Sequence, residues 1–264
     1  MSRIADRFAT LAQKGERALV PFVTAGDPGL AELPAILDML QDAGADVVEV
    51  GIPFSDPIAD GPVIQASSQR ALDRGVTPVA VLETLASCRT EVPIVLMGYY
   101  NPLLRLGLES FAAKAADAGV DATIVSDLTP EESDDWVSAS RKAGLDNVFL
   151  AAPTSTDARL AEVCRRASGF VYAVSRTGVT GARASVPEEV ESLVVRLRAR
   201  TPLPICVGFG ISRPEHVATV CRVADGAVVG SWLVQKIADE WDGGKGAAAI
   251  SQAVKDLKDA TRVG

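Results

Sequence analysis

The sequence predicts a (β/α)₈ barrel, an α/β chain in which eight short apolar segments alternate with helical ones. Three observations carry that reading. The apolar segments are rich in Val, Ile and Ala and show no polar alternation, as strands buried on both faces require. Each is followed by a stretch with apolar residues at helical spacing. The alternation runs through 264 residues with no linker or low-complexity stretch, so a single domain over residues 1–264 is expected. The count alone does not force closure, and an open doubly wound sheet is the alternative it leaves.

Ser2–Lys14 carries Ile4, Phe8 and Leu11 on one helical face, an extra helix ahead of the first strand. Ala18–Thr24 is the first strand. The turn Gly26-Asp27-Pro28-Gly29 then leads into a helix that ends near Asp42, with Gly44 just past its end. Val47–Gly51 is the second strand. Val63–Arg74 and Pro78–Thr90 are helices split at Gly75 and restarted by Thr77-Pro78. Later strands are expected at Ile94–Met97, Ala122–Ser126, Asn147–Ala151, Phe170–Val174, Leu203–Val207 and Gly226–Val229. Capping boxes at Thr129-Pro130-Glu131-Glu132, Ser185-Val186-Pro187-Glu188 and Ser212-Arg213-Pro214-Glu215 mark helix starts. The connections Gly51–Pro62 and Ser175–Pro187, after the second and sixth strands, are longer than the rest. In a barrel both overhang the mouth where active sites are built.

Composition narrows the function. A net charge of −8, from 26 basic and 34 acidic side chains with no basic block, argues against a nucleic-acid partner. No apolar run is long enough to span a bilayer, and the N-terminus lacks the apolar region of a signal peptide, so no membrane partner and a cytoplasmic protein are expected. A plastid form would need a transit peptide, which this N-terminus does not resemble. Cys88, Cys164, Cys206 and Cys221 are far apart, which favours free thiols over a metal cage or redox pair. The single histidine, His216, is expected at the surface of a helix start. With one histidine, neither a His-dependent triad nor a His-rich metal site is favoured, and the chemistry must rest on carboxylates, hydroxyls and backbone.

Those carboxylates lie in Glu49-Val50-Gly51-Ile52-Pro53-Phe54-Ser55-Asp56-Pro57-Ile58-Ala59-Asp60-Gly61-Pro62. Glu49 interrupts an apolar strand where a carboxylate has no water and no neighbouring cation in sequence. Asp56 and Asp60 follow on a loop held off regular structure by prolines and glycines. Two acids in unlike environments are what general acid–base chemistry requires, though either aspartate could equally be a turn residue. Three glycine-bearing turns close the second half of the chain: Gly178-Val179-Thr180-Gly181, Gly208-Phe209-Gly210-Ile211-Ser212 and Gly230-Ser231. Glycines let backbone amides approach an anion, and helix starts at Ser212 and Ser231 add donors, so a phosphate site is expected there.

These segments, with Pro21-Phe22-Val23-Thr24-Ala25-Gly26-Asp27-Pro28 and Ser175-Arg176-Thr177-Gly178-Val179-Thr180-Gly181, resemble the tryptophan synthase alpha chain family over nearly the whole chain. The resemblance implies a barrel that cleaves indole-3-glycerol phosphate, by a retro-aldol reaction, to indole and glyceraldehyde 3-phosphate. It implies Glu49 as acid–base group, Asp60 as its assistant, and Asp56 on the rim that couples to a partner. It implies apolar walls at Phe22, Met97 and Phe209, Tyr172 near Glu49, and substrate contacts at Thr180, Gly181, Gly210, Gly230 and Ser231. A tryptophan synthase beta chain in an α₂β₂ heterotetramer is the expected partner. No cofactor or metal is expected in this chain, since pyridoxal phosphate belongs to the beta chain. A stand-alone lyase and a non-catalytic activator of the beta chain are the alternatives; the retained Glu49 and Asp60 speak against the second.

Overall fold

The computed structural model describes residues 2–174, 188–208 and 210–262. Its strands are β1 (Ala18–Thr24), β2 (Val48–Gly51), β3 (Ile94–Gly98), β4 (Ala122–Val125), β5 (Asp146–Asn147), β6 (Phe149–Ala151), β7 (Val171–Val174), β8 (Ile205–Gly208) and β9 (Gly226–Val229). Every pairing between them is parallel, in the order β5-β4-β3-β2-β1-β9-β8-β7-β6. The sheet begins and ends on β5 and β6, which are two halves of the expected fifth strand divided at Val148. One half pairs back with β4 and the other forward with β7, so one stretch of chain joins both edges. The sheet therefore closes, and the open alternative falls.

Twelve helices surround it among the described residues: α1 (Arg3–Lys14), α2 (Leu33–Asp42), α3 (Pro62–Asp73), α4 (Pro78–Ser87), α5 (Tyr100–Leu106), α6 (Leu108–Asp117), α7 (Asp134–Lys142), α8 (Asp157–Arg166), α9 (Glu188–Arg198), α10 (Pro214–Cys221), α11 (Ser231–Glu240) and α12 (Ala247–Asp259). Side-chain caps are made by Ser2, Thr77 and Thr156, each accepting from the amide three residues on. Two expected capping boxes are not formed. Pro214 takes the first position of α10, which leaves Ser212 one residue ahead of the cap, Arg213, where its side chain caps nothing. Thr129 precedes only a single 3₁₀ turn, Pro130–Glu132, and α7 starts after Ser133. The third box, at Ser185, lies outside the described residues. His216 also departs from expectation: it is 8% exposed, and its Nδ1 accepts from the Ser212 amide at 3.4 Å.

Side chains alternate along each strand and make two cores. Val48, Val50, Leu96 and Val207 face the helices. Val20, Val95, Ile124 and Phe170 fill the barrel, and α1 closes its lower end with Ile4, Phe8 and Leu11. At that end three aspartates tie neighbouring strands together. Asp46, Asp121 and Asp225, each just ahead of a strand, accept the amides of Leu19, Ile94 and Ile205 at 2.8, 2.8 and 2.9 Å. Each also meets a cation: Asp46 pairs with Lys258 at 2.9 Å, Asp121 with Arg3 at 3.0 Å and Asp225 with Arg198 at 2.8 Å.

Candidate active site at the barrel mouth

Glu49 is the second residue of β2, between Phe22 of β1 and Val95 of β3 in register. Because Val48 and Val50 face outward, Glu49 faces the barrel interior, and it is 1% exposed. Neither carboxylate oxygen has a hydrogen-bond partner among the described residues. Burial, and secondarily the charge of Asp60, push its pKa up to about 8. At neutral pH that favours its protonated form.

The loop after β2 carries Asp60 back over this position. The Ile52 amide donates to the Met97 carbonyl at 2.8 Å, and the Asp60 amide donates to the Pro57 carbonyl at 3.0 Å. Gln65 of α3 reaches back to the Asp60 carbonyl at 2.9 Å. Tyr99, at the end of β3, fastens the tip. Its hydroxyl donates to Asp60 Oδ2 and accepts from the Ala59 amide, both at 3.0 Å, while Phe54 stacks on its ring at 4.8 Å. Burial raises the Asp60 pKa, and the Tyr99 hydrogen bond opposes that rise.

Phe22 and Met97 line a narrow cleft with Asp60, Ile52, Ile64, Ser68 and Tyr99. Gly51 is required there, because a Cβ would lie 2.5 Å from the Phe22 ring. Tyr172 projects from β7 into the interior, where burial and then the Glu49 charge raise its pKa. Its ring lies over Gly208, where a Cβ would fall within 2.9 Å of three Tyr172 atoms. That glycine therefore makes room for a ring. Gly210 has a φ of +47°, in the left-handed region, and Gly230 forms the N-cap ahead of Ser231, the first residue of α11. A Cβ on Gly230 would meet Ile64 at 3.8 Å and Phe22 at 3.9 Å, so the start of α11 adjoins the cleft but is not crowded. Ser212, ahead of α10, does not start a helix.

Asp56 is exposed on the same loop, accepting from the Ser55 hydroxyl. Thr180, Gly181 and Phe209 lie outside the described residues. Sequence reasoning missed Tyr99, Ile64 and Ser68 as site residues. Tyr99 had a signal, a tyrosine at the C-terminal end of a barrel strand. Ile64 and Ser68 had only helical spacing, which core residues share. The four cysteines are free thiols, and among the described residues no cluster of three or more His, Cys, Asp or Glu could hold a metal ion.

The family model described as tryptophan synthase alpha chain matches residues 8–262. This chain belongs to the tryptophan synthase alpha chain family. It is 55% identical over 237 residues to the tryptophan synthase alpha chain of Citrifermentans bemidjiense, covering 89% of each, and 52% identical over 237 residues to that of Geobacter sulfurreducens, covering 89% of this chain and 90% of the relative. Among solved structures it resembles tryptophan synthase subunit alpha from Legionella pneumophila, with a TM-score of 0.90 and 35% identity, covering 99% of this chain and 98% of that one. A chain of tryptophan synthase from M. tuberculosis matches with a TM-score of 0.91 and 33% identity over 100% of both. The alpha-chain family is a (β/α)₈ barrel family, as the closed parallel sheet is here.

Proposed function

We propose that Glu49 and Asp60 carry the carbon–carbon lyase reaction of this tryptophan synthase alpha chain. That reaction is the retro-aldol cleavage of indole-3-glycerol phosphate to indole and glyceraldehyde 3-phosphate, in tryptophan biosynthesis. The observation that supports the assignment is a buried carboxyl with no hydrogen-bond partner among the described residues, its pKa raised to about 8, facing a second carboxyl on a loop. Cleavage needs a proton delivered to indole C3 and one removed from the glycerol hydroxyl. Glu49 starts protonated, gives its proton to C3, and as a carboxylate takes the hydroxyl proton when the carbon–carbon bond breaks. Asp60, ionised, accepts a hydrogen bond from the indole N–H and stabilises the positive charge that grows on the ring.

Phe22 and Met97 form walls for the ring, and the start of α11 at Gly230 and Ser231, with Gly210, receives the phosphate. Thr180, Gly181 and Phe209 complete the pocket in this reading, with Tyr172 beside Glu49. The whole chain works as one domain, needs no cofactor of its own, and acts in the cytoplasm with a beta chain that holds pyridoxal phosphate in an α₂β₂ assembly. No helix of the described residues is long and apolar enough to cross a membrane.

The test is indole formation by Glu49→Gln and Asp60→Asn, with circular dichroism as the control for folding. An amide at position 49 cannot shuttle a proton, so the rate should drop about a thousandfold. Asp60→Asn should lose less, since its amide oxygen still accepts a hydrogen bond. Retention of more than a tenth of wild-type turnover by a folded Glu49→Gln variant would sink the assignment.

A further inference from the structure

Asp60 is held in two places. Tyr99, at the end of β3, binds its carboxylate, and Gln65, in the first turn of α3, binds its main chain. Gln65 Nε2 donates to the Asp60 carbonyl at 2.9 Å and to the Pro57 carbonyl at 3.3 Å. A side-chain amide carries two N–H donors, so each carbonyl takes one. These carbonyls are the two ends of a single turn, because the Asp60 amide itself donates to the Pro57 carbonyl at 3.0 Å. One side chain therefore grips both ends of the turn Pro57–Asp60.

This contact is not a helix cap. In a capping box the third helical residue reaches back to accept from the N-cap amide, whereas Gln65 is the fourth residue of α3 and donates to carbonyls ahead of the helix. Gln69, Gln235 and Gln252 behave differently, each donating to an aspartate four residues on along its own helix. The helix under Gln65 is itself tied to the first strand. Ser67 Oγ lies 2.7 Å from Oγ1 of Thr24, the last residue of β1. Arg70 meets Asp27, just beyond β1 and 6% exposed, through two bonds of 3.0 and 2.6 Å. Gln65 thus carries a fixed frame out to the loop.

We propose that Gln65 is a positioning residue of the lyase site, its side-chain amide fastening the turn Pro57–Asp60 to α3 and so setting where the Asp60 carboxylate stands. Tyr99 fixes one carboxylate oxygen, about which the rest of the residue could swing; a bond to the main chain of the same residue removes that freedom. Ile64, the residue before Gln65, lines the cleft with Asp60, so one helical turn sets both a wall and the carboxylate. A reacting group displaced by about 1 Å can lose about a hundredfold in rate. The Tyr99 bond survives removal of Gln65, so the loss here is smaller. This inference rests on the role proposed for Asp60.

The experiment measures kcat and KM for indole-3-glycerol phosphate cleavage by the isolated chain in wild type, Gln65→Met, Asp60→Asn and the double variant, with thermal unfolding of each. Met keeps the unbranched reach of Gln with no N–H to give. Gln65→Met should lower kcat about tenfold, with KM within about threefold and Tm within about 5 °C, since an exposed side chain loses two hydrogen bonds and little packing. In the Asp60→Asn background the same substitution should cost less than about threefold, because the charge it positions is gone. A wild-type kcat in Gln65→Met overturns the proposal. A full tenfold further loss on top of Asp60→Asn also overturns it, as the mark of a side chain that acts independently of Asp60, and so does a deficit that vanishes once the unfolded fraction at the assay temperature is taken into account. If Asp60→Asn turns over at the wild-type rate, the role of Asp60 fails and the inference falls with it; if Asp60→Asn is slow while Gln65→Met is not, only the role of Gln65 is wrong.

Discussion

The two ends of the barrel treat their acids in opposite ways. At the lower end, Asp46, Asp121 and Asp225 each accept a strand amide and pair with a lysine or arginine. At the mouth, Glu49 has neither donor nor cation among the described residues, and Asp60 has a tyrosine. A buried carboxylate that is satisfied holds structure together, whereas one left unsatisfied destabilises the charged form and so stores a proton for use. The lower acids are expected to matter for stability and the upper ones for the reaction, and mutations that exchange these outcomes would break the distinction.

The largest effect should come from Glu49→Gln, which separates activity from stability. The folded-state pKa of Glu49, about 8, lies above its ordinary value of 4.5. Between those values the folded chain binds more protons than the unfolded chain, so the contribution of this group to stability is full below the lower value. It is lost as pH rises through the higher one, by an amount on the order of 5 kcal/mol. Unfolding midpoints in urea at pH 5, 7 and 9 should fall for the wild type and stay flatter for Glu49→Gln. An identical pH slope in both would show that Glu49 is not the buried acid described.

Asp46→Asn should do the reverse. The amide can still receive the Leu19 N–H, but Lys258, 9% exposed, loses one of its two anions and keeps only Glu16 at 3.3 Å. A loss of about 3 kcal/mol is expected, with kcat at 25 °C near wild type. Chemical denaturation and steady-state rates on the same preparation check this; a large kcat deficit in a folded protein would mean that the lower end reaches the chemistry. Gly208→Ala should cost about 2 kcal/mol of repacking as Tyr172 is pushed off the β8 backbone, and should raise KM more than it lowers stability. Unchanged KM would place Tyr172 outside the pocket.

Much of this contrast was legible in sequence, for uneven reasons. Glu49 announced itself because a charge in a Val-rich strand has no bland explanation, and the barrel followed from repeated alternation. Closure was not legible: it depends on a break at Val148 that turns one strand into the partner of both β4 and β7, and nothing in Asn147–Ala151 marks it. Ser212 failed as a helix start because proline two residues on sets the boundary more strongly than serine does. His216 was misplaced because its spacing looks like that of any residue in a first turn, while its burial comes from packing distant in sequence. Gly208 was read for what could approach it, and the tyrosine that does so lies on the neighbouring strand.

The smallest effect expected concerns the rim. Asp56 and Ile58, the latter 83% exposed, stand on the loop whose other end holds Asp60, so a partner that grips the exposed part can bias where Asp60 sits without touching substrate. Within the loop the route is short: Ile58 N–H donates to the Asp56 carbonyl at 2.8 Å, and Asp60 N–H to that of Pro57 at 3.0 Å. Among the described residues Asp56 is hydrogen-bonded only to Ser55 and Ile58, so Asp56→Ala should leave the slow rate of the isolated chain within about threefold. Activation by a saturating beta chain should drop about tenfold, a coupling loss of roughly 1.4 kcal/mol. Basal and partner-saturated indole formation, measured for both proteins, decide it. The same titration separates a dependent subunit from a stand-alone lyase, since the latter shows no rise with partner in the wild type. If the wild type rises and the variant rises equally, Asp56 is a solvated turn residue, and the coupling between partner and Asp60 must run through another part of the mouth; among the described residues Tyr99, hydrogen-bonded to Asp60 and followed directly by α5, is one such route.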